Sequence, residues 1–280
     1  MNYRQLAKAL CDHRGIAEVG EYGEVVESGR AYPLLRLTVP GKRWLVITAG
    51  FHGEEPAGPL TLARHLPAIA AWARERQVGL SIFPCINPSG FEARTRYNAS
   101  GEKPNNDFLR YETSPGTWKG ELRFGEPFTR HALFHEGPKE TRALRPVLDA
   151  LPAPAAALDI HQDNWMVGRH TYAYVFGPRR AYLPLMRAAE AHARVAASCA
   201  VHDDVWTDGH GFVHYNDGSI TDYYMRRGVP YTAALETTTA TPLEACHRVN
   251  LVWIRGFIEL AAGAQAPTVR ARSSSGSGTS

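Results

Sequence analysis

Trp44-Leu-Val-Ile-Thr-Ala-Gly-Phe-His52-Gly-Glu54-Glu55-Pro56 decides how this chain is read. The apolar run from Trp44 to Thr48 reads as a buried strand. Glu55 to Ala73 reads as a helix, with apolar residues at helical spacing at Leu60, Leu62, Leu66 and Ile69. His52 then falls in the strand-to-helix loop and Glu55 in the first helical turn. The HxxE spacing lets an imidazole nitrogen and a carboxylate converge on one point beyond the strand. Open α/β sheets bind ligands at the carboxyl ends of their strands, where this motif lies. Alone the motif is a weak signal, because a surface histidine before a helix-capping glutamate gives the same spacing.

Outward from this stretch the chain alternates strand-like and helix-like segments, which predicts an α/β domain. Leu34 to Val39 reads as a strand, joined to Trp44–Thr48 by a hairpin turn at Pro40, Gly41 and Lys42. Further strands are expected at Leu80 to Ile86, Ala156 to Ile160, Thr171 to Phe176 and Tyr231 to Leu235. Helices are expected at Ala181 to Ala197, Ile220 to Arg227 and Leu243 to Ala262. Phe91 to Pro138 shows little periodicity but carries aromatics (Tyr97, Phe108, Tyr111, Trp118, Phe124, Phe128), which favours substrate-facing loops. The expected organisation is one domain over residues 1–270 and a flexible Ser/Gly-rich tail over 271–280.

A catalytic zinc commonly takes two histidines and one glutamate and keeps a fourth position for water. Ala156-Ala-Leu-Asp159-Ile-His161-Gln-Asp163 supplies the missing histidine, again at a strand's carboxyl end. Asp159 or Asp163 could accept the free imidazole N–H of such a ligand. By itself, a satisfied strand-end histidine is the better explanation of His161.

The order of five landmarks resembles the zinc carboxypeptidase family, including its aspartoacylase and succinylglutamate-desuccinylase branch. They are His52-x-x-Glu55; Asn87-Pro88-Ser89-Gly90; Arg96-Tyr97-Asn98-Ala99-Ser100-Gly101 followed by Asn105; Asp159-Ile-His161; and Leu235-Glu236-Thr237. They run from Trp44 to Thr241, roughly two-thirds of the chain, a single-domain scale. The resemblance implies a three-layer α/β/α fold with a mixed, mostly parallel central sheet. It implies one Zn2+ held by His52, Glu55 and His161. It further implies Glu236 as the carboxylate that moves protons, and Arg96 as the cation for a developing oxyanion, with Arg94 the alternative if the register slips. Other hydrolase and nucleotide signatures (HExxH, HxxEH, GxSxG, a phosphate-binding P-loop) are absent.

One landmark departs from the family. Where it carries an Asn-Arg pair for a substrate carboxylate, this chain has Asn105 and Asn106 followed by Asp107. An amide cannot reproduce a bidentate guanidinium clamp. Recognition of a free carboxylate is therefore expected to be lost or moved, with Lys103, Arg110, Arg142 and Arg145 as replacements. Tyr215 matches the family's substrate-facing tyrosine, and His214 competes for that place under a one-residue shift.

Composition bounds the remaining classes. A formal net charge of +3 with interspersed signs argues against nucleic acid or an anionic membrane as partner. No apolar run reaches membrane-spanning length, and Met1 to Leu10 carries no secretory pattern. Four dispersed cysteines read as reduced thiols in a cytoplasm. His202, Asp203, Asp204 and His210 form a further cluster that could bind metal or be solvated. The substrate expected is a peptide or a small acylated amino acid; a metal-retaining binding protein without turnover is the competing reading. Oligomeric state is not legible.

Overall fold

The computed structural model describes residues 1–263. The tail expected at 271–280 and the end of the 1–270 domain lie outside the described residues. In chain order the elements are α1 (Tyr3–Cys11), β1 (Glu18–Glu27), β2 (Arg30–Val39), β3 (Arg43–Ala49), α2 (Ala57–Glu75), β4 (Val78–Phe83) and α3 (Pro88–Ala93). Next come β5 (Leu109–Ser114), β6 (Thr117–Lys119), β7 (Arg130–Leu133), α4 (Lys139–Ala150), β8 (Ala156–Asp163) and β9 (His170–Phe176). The chain continues through α5 (Leu183–Ala189), β10 (Arg194–Val195), β11 (Ala200–His202), β12 (Val205–Trp206), β13 (Phe212–Val213), α6 (Ile220–Arg226), β14 (Tyr231–Thr238) and α7 (Leu243–Gly263).

The main sheet has the order β1-β2-β4-β3-β8-β14-β9-β10, with β13 also paired to β9. Its centre is parallel (β4, β3, β8, β14), and antiparallel pairings occur at β1–β2, β2–β4 and β14–β9. The central strands are buried on both faces, as parallel strands between helical layers must be. Strand alternation sorts their residues. Leu45, Ile47, Leu158, Ile160, Ala233 and Leu235 pack with α1, α2, α5 and α7 in one core. Val46 and Ala157 face the opposite way, toward α4, α6 and residues Phe108 to Tyr111, in a second core. These are the three α/β/α layers expected.

Several expectations need correction. Pro40 to Lys42 closes no hairpin, because β4 lies between β2 and β3 and pairs with both. The connection instead passes under the start of β4, where Lys42 N–H donates to Gln77 O. A Cβ on Gly41 would stand 2.0 Å from Gly79 N, so only glycine permits the crossing. The helix expected over Ala181 to Ala197 is confined to α5. The chain then turns to the sheet, where β10 pairs with His170 and Thr171 and so satisfies backbone groups at the edge of β9. Phe91 to Pro138 is not all loop: β6-β5-β7 form a small antiparallel sheet. Phe108, just before β5, and Tyr111, within it, are buried, whereas Tyr97, Trp118 and Phe124 are exposed.

Helix α4 was not anticipated. It carries Glu140, buried beside Glu27 and Glu102, with Asn98 Nδ2 donating to Glu140 Oε2. Burial, aided by the two neighbouring carboxylates, pushes the Glu140 carboxyl from 4.5 up to about 7 despite the Asn98 bond. The folded state then binds this proton more tightly than the unfolded chain. Its contribution is therefore most favourable below pH 4.5 and is lost as pH rises toward 7. E140Q is expected to leave stability at pH 5 nearly unchanged and to raise it by about 2 kcal/mol at pH 8. Urea melts at the two pH values check this; an equal change at both would contradict it.

Candidate metal centre and cleft

His52 and Glu55 both lie in the loop between β3 and α2. Glu55 precedes the helix, which starts at Ala57, rather than occupying its first turn. A turn, Glu55 N–H to His52 O, brings the two side chains together. The Asn87–Gly90 segment holds the loop in place. Asn87 Oδ1 accepts from Gly90 N, while its Nδ2 donates to Phe51 O and Arg96 O. A Cβ on Gly53 would sit 1.9 Å from the Gly90 carbonyl carbon, so the two backbones meet where no side chain fits.

His161 arrives on β8. Glu236 is its register partner on β14, so the parallel ladder places both on one face of the sheet. Thr48 on β3 is the register partner of Asp159, and Thr48 Oγ1 donates to Asp159 Oδ1 at 2.7 Å. Asp159 Oδ2 lies 2.7 Å from His161 Nε2. Asp159, not Asp163, is thus the residue that orients the ring. Asp163 instead accepts from Trp165 N.

Glu55 Oε1 is 2.7 Å from His52 Nδ1, and Glu55 Oε2 is 2.7 Å from His161 Nδ1. One donor atom from each residue lies within 4.8 Å of the others, and the three side chains are at most 5% exposed. Burial opposes charge on Glu55, but the adjoining His52 and His161 rings hold its carboxyl below the usual carboxylate range. Burial pushes His52 down to about 4. His161 is held well above the usual histidine range by Asp159 and Glu55, against burial. Burial pushes Glu236 well above the usual carboxylate range, and Glu55 and Asp163 reinforce this against His161 and Arg96.

The donor set fits a zinc-type ion. Without a metal, both His161 nitrogens must carry protons to satisfy Asp159 and Glu55. With Nε2–H given to Asp159, Nδ1 is left with a lone pair aimed at the point shared with Glu55 and His52. Two imidazole nitrogens and one carboxylate would hold the ion, leaving further coordination open.

The other expected residues are distributed unevenly around this centre. Arg96 lines the cleft and its Nη1 reaches Glu54 and Glu55 at 3.3 and 3.2 Å. Arg94, left-handed at φ 58°, stacks on Phe91 away from the cleft. Asn105, Asn106 and Tyr215 line the cleft, whereas His214 does not and packs against Phe176. Of the four basic replacements only Lys103 lines the cleft. Arg110 lies over Phe134, and Arg145 donates to Asp107 O. The His202/Asp203/Asp204/His210 cluster is not gathered into a metal site among the described residues, and only His202 reaches the cleft.

Sequence reasoning missed Thr48, Gln162, Glu121, Asp217 and Thr221. Gln162 Oε1 accepts from Ala57 N, satisfying a helix-start N–H and tying α2 to β8. Its place next to His161 was a usable signal. Glu121 and Asp217 gave none, since both come from irregular segments.

The architecture and cleft define a metallo-carboxypeptidase-like α/β fold. Among solved structures, a protein from Shewanella amazonensis, provisionally named a metallopeptidase, superposes with TM-score 0.69 at 23% identity, covering 92% of each chain. Metallo-carboxypeptidases from Burkholderia cenocepacia (TM-score 0.62) and Pseudomonas aeruginosa (TM-score 0.63) each match at 16% identity over 92% of this chain and 68% of theirs. The Pseudomonas structure contains (2-guanidinoethylmercapto)succinic acid. No protein-family model and no curated protein matches the chain. Among the described residues no helix is long and apolar enough to cross a membrane.

Proposed function

We propose that this protein is a zinc-dependent hydrolase of an amide bond in a peptide or N-acyl amino acid. The observation that carries the reading is the convergence of His52, Glu55 and His161 with Glu236 as the strand neighbour of His161. Zinc bound by the three would polarise a carbonyl and lower the pKa of a water to about 7.

The chain's own residues supply the rest. Glu236 Oε2 is buried without a hydrogen-bond partner and is placed to take a proton from water and return it to the leaving nitrogen. Water thus adds across the C–N bond, leaving a carboxylate and an amine. Arg96, anchored by Glu54 and Glu55, supplies fixed positive charge on the same cleft for the oxyanion. Asp159, held by Thr48, keeps His161 in one ring orientation. The four unpaired thiols suit a reducing compartment, consistent with action in the cytoplasm.

The test is a mass-scored screen of acyl-amino-acid and peptide amides with zinc-loaded and chelated protein. Cleavage that appears with zinc and disappears on chelation is expected. Cleavage indifferent to chelation, or no amide cleaved at all, would argue against the reading.

A further inference from the structure

The cleft is electrically lopsided beyond the metal ligands. Arg96, Lys103 and His202 line both the cleft and a second cavity opening beside it, bordered by Tyr97, Asn164 and Trp165. These three therefore stand at the junction of the two cavities. The part of the cleft lined by Asn106, Glu121, Tyr215, Asp217 and Thr221 is not shared. That part holds two carboxylates. Among the described residues, no lysine or arginine lies within ion-pair distance of Asp217 or Glu121.

Asn106 does not offer a donor to this space. Its Nδ2 is taken by Asp217 O and Oδ2, both at 3.1 Å. Tyr215 Oη is likewise committed, 2.7 Å from Leu122 O and 3.0 Å from Glu121 Oε1. Thr221, 3% exposed, has a hydroxyl with no partner, and so does the carbonyl oxygen of the Asn105 side chain, 7% exposed. Polar groups left unpaired in a buried cleft are costly unless a ligand completes them. The two carboxylates beside them already accept hydrogen bonds, Asp217 from Asn106 Nδ2 and Ser219 N and Glu121 from Tyr215 Oη, so with the Asn105 oxygen this side presents acceptors and negative charge rather than donors. Their complement is a cation with several N–H donors, such as an ammonium or guanidinium. A substrate carboxylate placed here would face two carboxylates with no guanidinium to offset them.

We propose that the leaving half of the substrate is a cationic amine lacking a carboxylate, seated between Asp217, Glu121 and Thr221. This deepens, and rests on, the amide-hydrolase reading. Hydrolysis then frees a diamine or guanidino-amine and leaves the acyl half as a carboxylate.

The experiment compares three acyl amides sharing one acyl group, with 1,5-diaminopentane, pentylamine or lysine (through its ε-amine) as the leaving amine. With zinc-loaded protein, kcat/KM for the diamine amide is expected to exceed the pentylamine amide by at least 10-fold and the lysine amide by more. D217N and, independently, the exposed-site variant E121Q are expected to shrink the diamine-to-pentylamine ratio, mainly through KM. Calorimetry with free 1,5-diaminopentane runs in parallel: binding is expected to wild type and to weaken at least 5-fold in D217N. Preference for the lysine or pentylamine amide, or ratios and diamine binding unchanged in both variants, would overturn the proposal. If no amide is cleaved yet the diamine binds in an Asp217-dependent way, the hydrolase reading fails while the cation seat stands.

Discussion

E236Q is expected to lower kcat on any cleaved amide by about 10²- to 10⁴-fold while leaving zinc content unchanged. Glutamine keeps the size of the side chain and its place on β14 beside His161, so the geometry of the proposed metal ligands is preserved. It cannot accept a proton from water or deliver one to a departing amine. Kinetics and metal analysis on the same preparation check both halves of the expectation. A variant that keeps full turnover would remove Glu236 from the chemistry. A variant that loses zinc would place it among the ligands instead. A protein that used this scaffold only for binding would show no turnover to lose, so the experiment also separates the two readings.

The second large effect is on stability. Zinc at 100-fold excess over its dissociation constant should stabilise the folded chain by about 2.7 kcal/mol, raising Tm by on the order of 5–10 °C. H161A should abolish that increment. It removes one of three donors and leaves Glu55 and Asp159, both nearly fully buried, without the ring that lies between them. The metal-free H161A protein is therefore also expected to melt below metal-free wild type. Scanning calorimetry with and without zinc resolves the two effects. E236Q should keep the full zinc increment. An H161A protein stabilised by zinc as much as wild type would relocate the metal site.

The legible parts of the site share a physical cause. His52 and Glu55 stand in the loop just beyond β3, and His161 and Glu236 near the carboxyl ends of β8 and β14, and a strand's length and alternation are written in local sequence. Once β8 and β14 pair in parallel, alternation places His161 and Glu236 on one face. The helix start was misplaced by two residues because Pro56 serves as the helix N-cap and leaves Glu55 outside. The hairpin failed for a different reason. Pro40-Gly41-Lys42 has turn chemistry, but which strands a turn joins depends on what inserts between them, and β4 does so from beyond the whole of α2. Helix α5 ends early because an unsatisfied sheet edge captures Arg194 and Val195.

The sequence by itself determined the layered α/β class and where His52, Glu55, His161 and Glu236 fall relative to the strands, while the absence of an arginine at Asn106 was legible only against the family resemblance. These come from local periodicity and residue chemistry. Only the tertiary structure decided that Asp159 rather than Asp163 orients His161, that Lys103 alone of the basic candidates reaches the cleft, and that Asn106 spends its donor on Asp217. Those outcomes depend on contacts between segments far apart in the chain. Such contacts are set by strand order and loop packing, which no local pattern of residues encodes.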